Sequence, residues 1–260
     1  MPELSNAISI QNVYKSYGGV EAVQRCSFNV TGGTITGVIG PNGAGKSTLF
    51  NILAGLIKAD GGDILLGNKY VTGFAPYKMA EMGLMRTFQV AHEYPRMTVL
   101  ENLKVAPRKQ LGLSLFSNWV QWSKIQEEEK KWEEKAIEVL QTLELDPLKG
   151  ELAGNLSGGQ KKLLEFGRIL MGEPKVVLLD EISAGISPIL MQKIVGLIQK
   201  INKENDVTFC VIEHNMELIK QLCNPIIVMV NGEVLVKGTF EEIIVNPDVI
   251  EAYLGIRAWD

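Results

Sequence analysis

Histidine and cysteine are scarce in this sequence. Its 260 residues include two histidines, His92 and His214, and three cysteines that form no C-x-x-C pair. A histidine-based metal site is therefore not expected, and we expect any Mg²⁺ to arrive with a nucleotide. The cysteines are predicted to be reduced and mostly buried side chains of a cytosolic protein. They are Cys26, Cys210 and Cys223.

Long apolar runs and an excess of positive charge are also missing. The formal net charge is −4, which argues against nucleic acid as a partner because such proteins are normally basic. The longest apolar runs, such as Ile226–Val230, are too short to span a bilayer. The opening M-P-E-L-S-N lacks a basic region followed by an apolar core, so we expect no secretion signal. The composition indicates a globular protein with one large domain, or with a core and a subdomain.

The most informative stretch is Gly40–Thr48, G-P-N-G-A-G-K-S-T, which fits G-x-x-x-x-G-K-[ST]. Glycines let the backbone wrap phosphates with its N–H groups pointing inward. Lys46 supplies a cation for the β- and γ-phosphates, and the Ser47 hydroxyl is placed to ligate Mg²⁺. Thr34–Ile39 is predicted to be a strand and Ser47–Ile57 a helix, the context that this loop requires. The predicted nucleotide-binding residues here are Gly40, Pro41, Asn42, Gly43, Ala44, Gly45, Lys46, Ser47 and Thr48.

The rest of the N-terminal third has the pattern of strands. Ile8–Val13 and Val20–Val30 alternate apolar and polar residues, and a short hairpin is predicted across Gly67-Asn68. Tyr17 lies just ahead of the turn at Gly18-Gly19. Two interpretations of Tyr17 are equally supported by its position: stacking on a purine base, or a tyrosine of the core or turn.

Two predicted buried strands each end in ionisable side chains. Val176–Glu181, V-V-L-L-D-E, ends in two carboxylates, and Val207–Ile212 is followed after one residue by His214. Sites in α/β proteins lie at the carboxyl ends of such strands. Asp180 suits a ligand of Mg²⁺ and its water, and Glu181 suits the base that polarises water for attack on the γ-phosphate. His214 suits a group that holds the γ-phosphate or orients that water.

Two further motifs are open to a functional and to a simpler interpretation. Gln89 follows an apolar stretch and is placed either to reach Mg²⁺ and the attacking water or to lie on the surface. L-S-G-G-Q opens a predicted helix, where it forms either an anion-binding concavity or a serine N-cap. Its predicted ligand-binding residues are Ser157, Gly158, Gly159 and Gln160.

Helical patterns replace strand patterns from about residue 98 to residue 154. Apolar residues between Ile125 and Leu143 recur with a period near 3.6 and leave a charged face on the other side. The segment Pro107–Trp122 is unusually apolar, so it either packs on its own subdomain or covers a partner surface. Thr239–Asp260 is predicted to be helical and amphipathic.

The five motifs, in this order, resemble those of the ATP-binding subunit of ABC transporters. The resemblance covers essentially the whole chain. It implies an α/β fold with a P-loop NTPase (RecA-like) core, an N-terminal antiparallel β subdomain and an inserted α-helical subdomain. The implied ATPase domain is 7–240, with the core at about 7–90 and 160–240, the helical subdomain at about 91–159 and a helical tail at 241–260.

The resemblance also assigns roles to individual residues. Tyr17 matches the aromatic residue that stacks on adenine, and Gln89 matches the Q-loop glutamine. Asp180 and Glu181 match the Walker B pair, and His214 matches the switch histidine. The stretch L-S-G-G-Q matches the signature motif that completes the ATP site of a second subunit.

These roles imply cofactors, partners and a location. ATP and Mg²⁺ are the implied cofactors, and ATP is expected to lie between the P-loop of one ATPase subunit and the signature of another, in a homo- or heterodimer. The implied partners are integral membrane permease subunits and, indirectly, a substrate-binding protein. The implied location is peripheral, on the cytoplasmic face of the membrane.

A finer resemblance concerns the cargo. E-Y-P-R-M-T-V-L-E-N-L at 93–103, the apolar insertion at 111–122 and N-P-D-V-I-E-A-Y-L-G at 246–255 look like those of ATPases that serve importers of branched-chain and other hydrophobic amino acids. Such importers usually pair two different ATPase chains. Urea or amide importers, lipopolysaccharide-export ATPases and soluble ABC assembly ATPases are the alternatives, and a P-loop kinase or GTPase is a more distant one.

The chain departs from the family pattern at two positions. Ile182 stands where proline usually follows the Walker B glutamate, and Ser187 stands where the D-loop usually carries aspartate or asparagine. The D-loop communicates across the dimer, so the second departure puts the coupling of the two ATP sites in doubt. Hydrolysis itself is still expected because Glu181 and His214 are present.

Overall fold

The computed structural model describes residues 5–87, 93–107 and 122–254, which belong to two compact units. The first unit comprises Met1–Gln89, Lys175–Ala184 and Ile198–Asp260, and the second comprises Val90–Pro174 and Gly185–Leu197. The predictions for Gln89 and for most of the apolar segment 107–122 lie outside the described residues.

An antiparallel sheet forms from the N-terminal strands, in the order β2-β1-β4-β5. The alternating sequences of β1 and β2 place one side-chain face in the core, as their period of two predicts. The turn at Gly67-Asn68 joins β4 to β5, so the predicted hairpin is confirmed. The strands of this sheet are β1 (Asn6–Tyr17), β2 (Val20–Thr31), β4 (Gly61–Leu66) and β5 (Lys69–Tyr70), and β3 (Ile35–Ile39) belongs to the second sheet.

A second sheet has the order β10-β9-β3-β8-β7-β6. All its pairs are parallel except β9 with β10, which form the predicted closing hairpin. Every residue of β3, β7 and β8 is buried, which explains their continuous apolar sequences. The added strands are β6 (Leu84–Arg86), β7 (Val176–Asp180), β8 (Thr208–Ile212), β9 (Ile226–Val230) and β10 (Glu233–Gly238).

The helix after the phosphate loop is shorter than predicted. Helix α1 spans Lys46–Leu53, whereas the sequence predicted a helix from Ser47 to Ile57. Ala54 is the C-cap, and Gly55 follows in the left-handed conformation with φ 74°. A Cβ at Gly55 would lie 2.2 Å from the carbonyl oxygen of Phe74, so only glycine fits this turn.

Helices dominate the described part of the second unit, and the predicted helical character is confirmed for residues 98–107 and 122–154. Apolar residues of this segment recur at helical spacing. Four of them, Ile125, Ala136, Leu140 and Leu143, are buried. Two 3₁₀ turns, Asp146–Leu148 and Ala153–Asn155, lead to the next helix. Among its described residues, the helices of this unit are α3 (Val99–Lys104), α4 (Trp122–Thr142), α5 (Gly158–Met171) and the first part of α6 (Pro188–Asn205).

The remaining helices belong to the first unit. They are α2 (Pro76–Glu81), α7 (Met216–Leu222), α8 (Phe240–Ile244) and α9 (Pro247–Leu254). The predicted tail helix is therefore divided in two. Thr239 caps the start of α8, and Asn246 accepts a hydrogen bond from the N–H of Val249 at the start of α9. Cys26, Cys210 and Cys223 are free and buried, as predicted. Within the described ranges, no helix is both long and apolar enough to cross a membrane.

Candidate nucleotide-binding and hydrolysis site

The phosphate loop joins the buried strand β3 to helix α1. Gly45 is the N-cap of α1, and a Cβ there would lie 2.2 Å from the carbonyl oxygen of Ala22 in β2. A glycine is therefore required where the loop turns into the helix. The first backbone N–H groups of α1 have no partner within the helix, and with the helix dipole they make its N-terminus a site for an anion.

Lys46 is folded back onto the loop that carries it. Its Nζ donates to the carbonyl oxygens of Gly40 at 2.8 Å and Pro41 at 2.9 Å, and the residue is only 5% exposed. Burial lowers the pKa of Lys46, and the negative charges of Glu181 and Asp180 act in the opposite direction. The ammonium group is thus held beside the loop and within the field of the two acidic residues at the end of β7, Asp180 and Glu181.

The other predicted residues of this loop differ in exposure: Gly40 is buried, and Pro41 and Thr48 are half-buried. Asn42, Gly43 and Ser47 are exposed, whereas Ala44 is buried. Ser47 lies in the first turn of α1, so its hydroxyl is displayed at the helix N-terminus. The loop therefore offers backbone N–H groups, one lysine and one hydroxyl, which is the donor set expected of a phosphate site.

Asp180 is a buried carboxylate at the end of β7. Its Oδ2 accepts a hydrogen bond from Nη2 of Arg86 at 2.7 Å, and the side chains of Asp180 and Arg86 are 1% and 10% exposed. The other oxygen, Oδ1, is buried and has no hydrogen-bond partner among the residues that the structure describes. A buried polar atom without a partner is rare in folded proteins, and a bound water or ion is one explanation for it.

Arg86 was missed by the sequence analysis. It lies on β6, beside β7, and its Nη1 also donates to Oδ1 of Asn51 in α1 at 2.6 Å. Its neighbour Thr87 accepts a hydrogen bond from the backbone N–H of Asp180 at 3.1 Å. The one signal in the sequence was a charged residue at the end of a buried strand, and such a residue needs a counter-charge.

Glu181 and His214 lie in contact where β7 and β8 end. Oε1 of Glu181 is 3.2 Å from Nε2 of His214, and both side chains are partly exposed. The predicted strand Val176–Glu181 ends one residue earlier, because Glu181 takes a left-handed conformation with φ 50°. Its backbone N–H still donates to Ile212 of β8 at 3.0 Å. The two residues predicted to act on the attacking water are thus brought together.

Glu213 is a second residue that the sequence analysis did not single out. It is 2% exposed and accepts hydrogen bonds from the backbone N–H of Ser183 at 2.7 Å and from the Ser183 hydroxyl at 2.8 Å. The backbone N–H of His214 donates to the same carboxylate at 3.1 Å. A glutamate directly after the apolar residues F-C-V-I was the available signal, but its partner is 30 residues away in sequence.

The L-S-G-G-Q motif lies in the second unit and opens α5. Ser157 and Gln160 form a capping box: the Ser157 hydroxyl accepts from Gln160 N–H at 3.3 Å, and Gln160 Oε1 accepts from Ser157 N–H at 2.9 Å. Ser157 is therefore an N-cap, as the simpler interpretation predicted, and the cap uses the N–H of Gln160 but not those of the two glycines. The N–H groups of Gly158 and Gly159 stand in the first turn, where they have no partner within the helix.

Tyr17 is not a core residue. It ends β1 immediately before the turn and is 47% exposed, and Nζ of Lys15 lies 5.5 Å from the ring centroid. Gln89 and His92 lie outside the described residues. In the described part of the chain, no group of three or more His, Cys, Asp and Glu side chains is placed to hold a metal ion.

The comparison with known families decides the identity. A family profile described as "ABC transporter" matches residues 23–184, which is more than half of the chain. The chain belongs to the ABC transporter family. A second profile, described as "Branched-chain amino acid ATP-binding cassette transporter", matches residues 233–258 of this ABC protein.

Curated relatives cover nearly all of this ABC transporter subunit. A probable branched-chain amino acid transport ATP-binding protein LivG of Archaeoglobus fulgidus is 38% identical over 253 residues, which is 96% of each chain. The high-affinity branched-chain amino acid transport ATP-binding protein LivG of Escherichia coli is 36% identical and covers 95% of this chain and 97% of its own. The ABC protein described here is thus an ATP-binding subunit.

The fold of this ABC subunit is also that of known cassettes. A crystal structure of the ADP conformation of an ATP-binding cassette of an ABC transporter matches with a TM-score of 0.81 and 34% identity, over 96% of this chain and 99% of the other. The predicted α/β P-loop NTPase fold is confirmed, and the chain is an ATPase subunit. The alternative of a P-loop kinase or GTPase is excluded.

Proposed function

We propose that this ATPase subunit powers the import of branched-chain amino acids through separate membrane subunits. Two observations support the cargo: the relatives reported above are named for this transport, and the profile of the same class covers residues 233–258. Neither relative is named for urea import, lipopolysaccharide export or soluble assembly. The match at 233–258 carries the proposal, because it lies outside the general ABC profile that ends at residue 184.

We further propose that the phosphate loop holds ATP. The N-terminus of α1 and the loop N–H groups supply neutral donors for the phosphates. Lys46, which now donates to Gly40 and Pro41, would exchange these carbonyl partners for the β- and γ-phosphate oxygens. Because burial disfavours the free ammonium, binding a polyanion beside it is favourable. The exposed ring of Tyr17 would stack on the adenine.

The residues at the loop fit a magnesium ion that arrives with the nucleotide. Asp180 Oδ1 is buried without a partner in the described structure, and Ser47 displays a hydroxyl at the start of α1. Both are hard oxygen ligands, which suit Mg²⁺. Ser47 and Asp180 would therefore hold the ion, directly or through water, with Gln89 as a proposed third ligand. When bound, Mg²⁺ would neutralise charge on the β- and γ-phosphates.

Glu181 is the proposed base in hydrolysis. Its carboxylate is partly exposed beside His214, so it is able to accept a proton from a water that attacks the γ-phosphate. His214 would hold the γ-phosphate or orient that water, and its 3.2 Å contact with Glu181 keeps the two groups together. Gln89 is the proposed third member of this group.

A second ATPase subunit would complete the site. The signature residues Ser157–Gln160 open α5 in the second unit, and the N–H groups at the helix start are donors for phosphate. In the proposed dimer, these donors face the ATP on the phosphate loop of the partner. Ser187, at the departure in the D-loop, accepts a hydrogen bond from the N–H of Leu190 at 3.3 Å. Ser187 thus caps α6, and its effect on the coupling of the two ATP sites stays a prediction.

The subunit is proposed to act on the cytoplasmic face of the membrane, bound to integral membrane subunits and served indirectly by a substrate-binding protein. Purification of a tagged chain from detergent-treated membranes tests this part. Recovery of stoichiometric integral membrane subunits supports the transporter, and recovery of the chain alone or with soluble proteins contradicts it.

The cargo is tested with the same complex in proteoliposomes. We expect ATP hydrolysis to rise when the substrate-binding protein is loaded with leucine, isoleucine or valine, and to stay at the basal rate with urea. The Glu181→Gln complex is the matched control, because it keeps the fold and removes the proposed base. A response to urea or to none of the three amino acids would contradict the proposed cargo.

A further inference from the structure

Two neighbouring loops carry the proposed hydrolytic groups. Glu181 begins the loop after β7, and His214 lies in the loop after β8. The two strands are paired in parallel up to Asp180 and Ile212, so both loops leave the same edge of the sheet. Beyond that pair, one further backbone bond links them, from the N–H of Glu181 to the carbonyl oxygen of Ile212 at 3.0 Å.

Glu213 bridges these loops just behind the catalytic pair. Its carboxylate accepts from the N–H and the hydroxyl of Ser183 on one loop, at 2.7 and 2.8 Å. On the other loop it accepts from the N–H groups of His214 at 3.1 Å and Asn215 at 3.5 Å. One side chain thus ties the residue two positions after Glu181 to the backbone of His214.

The Glu213 carboxylate lies in a buried environment. Glu213 is almost fully buried, and all four of its bonding partners are neutral. Burying a carboxylate is unfavourable unless hydrogen bonds compensate for the lost water. A neutral side chain would fill the volume without that penalty, but it would not gather four donors from two loops.

The departure at Ile182 increases the need for such a bridge. Proline at this position would restrict the backbone on both sides of the turn. Isoleucine imposes no such restriction, and Glu181 just before it holds a left-handed conformation that L-residues seldom adopt. The hydrogen bonds from Ser183 to Glu213 are contacts that hold this turn in place.

We propose that Glu213 is a positioning residue that keeps Glu181 and His214 in register for hydrolysis, an inference that rests on the proposed function of the site. Glu213 touches neither phosphate nor water in this role. It acts through Ser183 and through the backbone of His214. Loss of the bridge would leave nucleotide binding intact and slow the chemical step, because a displacement of about 1 Å in a catalytic group can lower a rate by about 100-fold.

The test compares three single variants. Glu213→Gln removes one acceptor oxygen at constant size, and Ser183→Ala removes only the hydroxyl bond. Glu217→Gln is the matched control, since it makes the same change on the exposed start of α7, four residues away. We expect kcat for ATP to fall about 10- to 100-fold in Glu213→Gln, with an ATP dissociation constant within about twofold of wild type.

A second readout does not depend on hydrolysis. The chain has two histidines, so the ring signals of His214 are assigned in nitrogen-15 NMR spectra by comparison with a His92→Gln variant. In the nucleotide-free protein, we expect the His214 signals to shift in Glu213→Gln and, by less, in Ser183→Ala. They should not move in the control variant.

The outcomes separate this inference from the proposed function. A lower kcat with unchanged ATP affinity and shifted His214 signals supports the bridge. Unchanged kcat and unchanged His214 signals overturn it. A loss of ATP affinity that accompanies the lower kcat, without a shift of the His214 signals, also overturns it, because that result indicates general destabilisation. If Glu213→Gln fails to fold, the milder Ser183→Ala variant decides by the same two measurements. If the wild-type protein hydrolyses no ATP, the proposed function fails and the His214 signals alone decide on the bridge.

Discussion

Replacing Arg86 by methionine should strongly destabilise the first unit, even without nucleotide. The substitution leaves Asp180, whose side chain is 1% exposed, without the cation that lies 2.7 Å from it. It also removes the donor to Asn51 in α1. Removing one partner of a buried ion pair costs about 3–5 kcal/mol, because the remaining charge is uncompensated. We therefore expect Arg86→Met to lower the free energy of unfolding in urea by about 3 kcal/mol or more.

The pair between Lys15 and Asp60 is the control for burial. It lies in the same unit and is as short, at 2.6 Å, but its side chains are 16% and 37% exposed. Lys15→Met should therefore cause only a small fraction of the loss, because water replaces the missing partner. The double variant with leucine at Asp180 and methionine at Arg86 should recover much of the stability. If Arg86→Met and Lys15→Met lowered the free energy of unfolding equally, Arg86 and Asp180 would not be a buried pair in which each charge depends on the other.

Two further predictions concern packing and thiol reactivity. Gly196→Ala should raise the free energy of unfolding by about 0.5–1 kcal/mol, since nothing lies within 4 Å of the added Cβ in α6. Gly167→Ala should give no such gain, because its Cβ would lie 2.7 Å from Leu143. Urea unfolding measures both variants, and an equal gain in the two would contradict the packing of α5. Burial raises the pKa of Cys26 and of Cys210 to about 12, so the reactive thiolate is scarce at pH 8. Ellman's reagent should therefore leave the folded protein unmodified and titrate all three thiols in urea, and rapid reaction of the folded protein would count against the buried positions.

Features set by local sequence were predicted well. The strand, loop and helix around Gly40–Thr48 follow from a short apolar run, glycines at fixed offsets and a second apolar run. The predicted end of α1 was wrong. The residues A-G-L-I continue the apolar pattern past Leu53, but the left-handed turn at Gly55 ends the helix. Apolar periodicity reports which face is buried, and the end of a helix depends on backbone conformation.

Contacts between distant parts of the chain were not predictable in the same way. Arg86 and Asp180 are 94 residues apart, and Glu213 is 30 residues from Ser183. Each pair meets because β6, β7 and β8 are neighbours in the sheet, and a single sequence does not give that order. Individual charged residues next to buried strands were visible in the sequence, but their partners became known only from the fold. Ser157 was recognisable as an N-cap because its partner, Gln160, lies three residues away.

The most direct test of the account is the mass of the protein in solution, for wild type and Glu181→Gln, with and without ATP and Mg²⁺. The central claim is that ATP is shared between the phosphate loop of one subunit and the signature of another. Glu181→Gln should bind ATP, hydrolyse it very slowly and shift from the 28.7 kDa monomer to a dimer only when ATP is present. A shift that requires addition of a different ATPase chain would support the same site in a heterodimer. A variant that stays monomeric while hydrolysing ATP at the wild-type rate would contradict both the shared site and the role of Glu181.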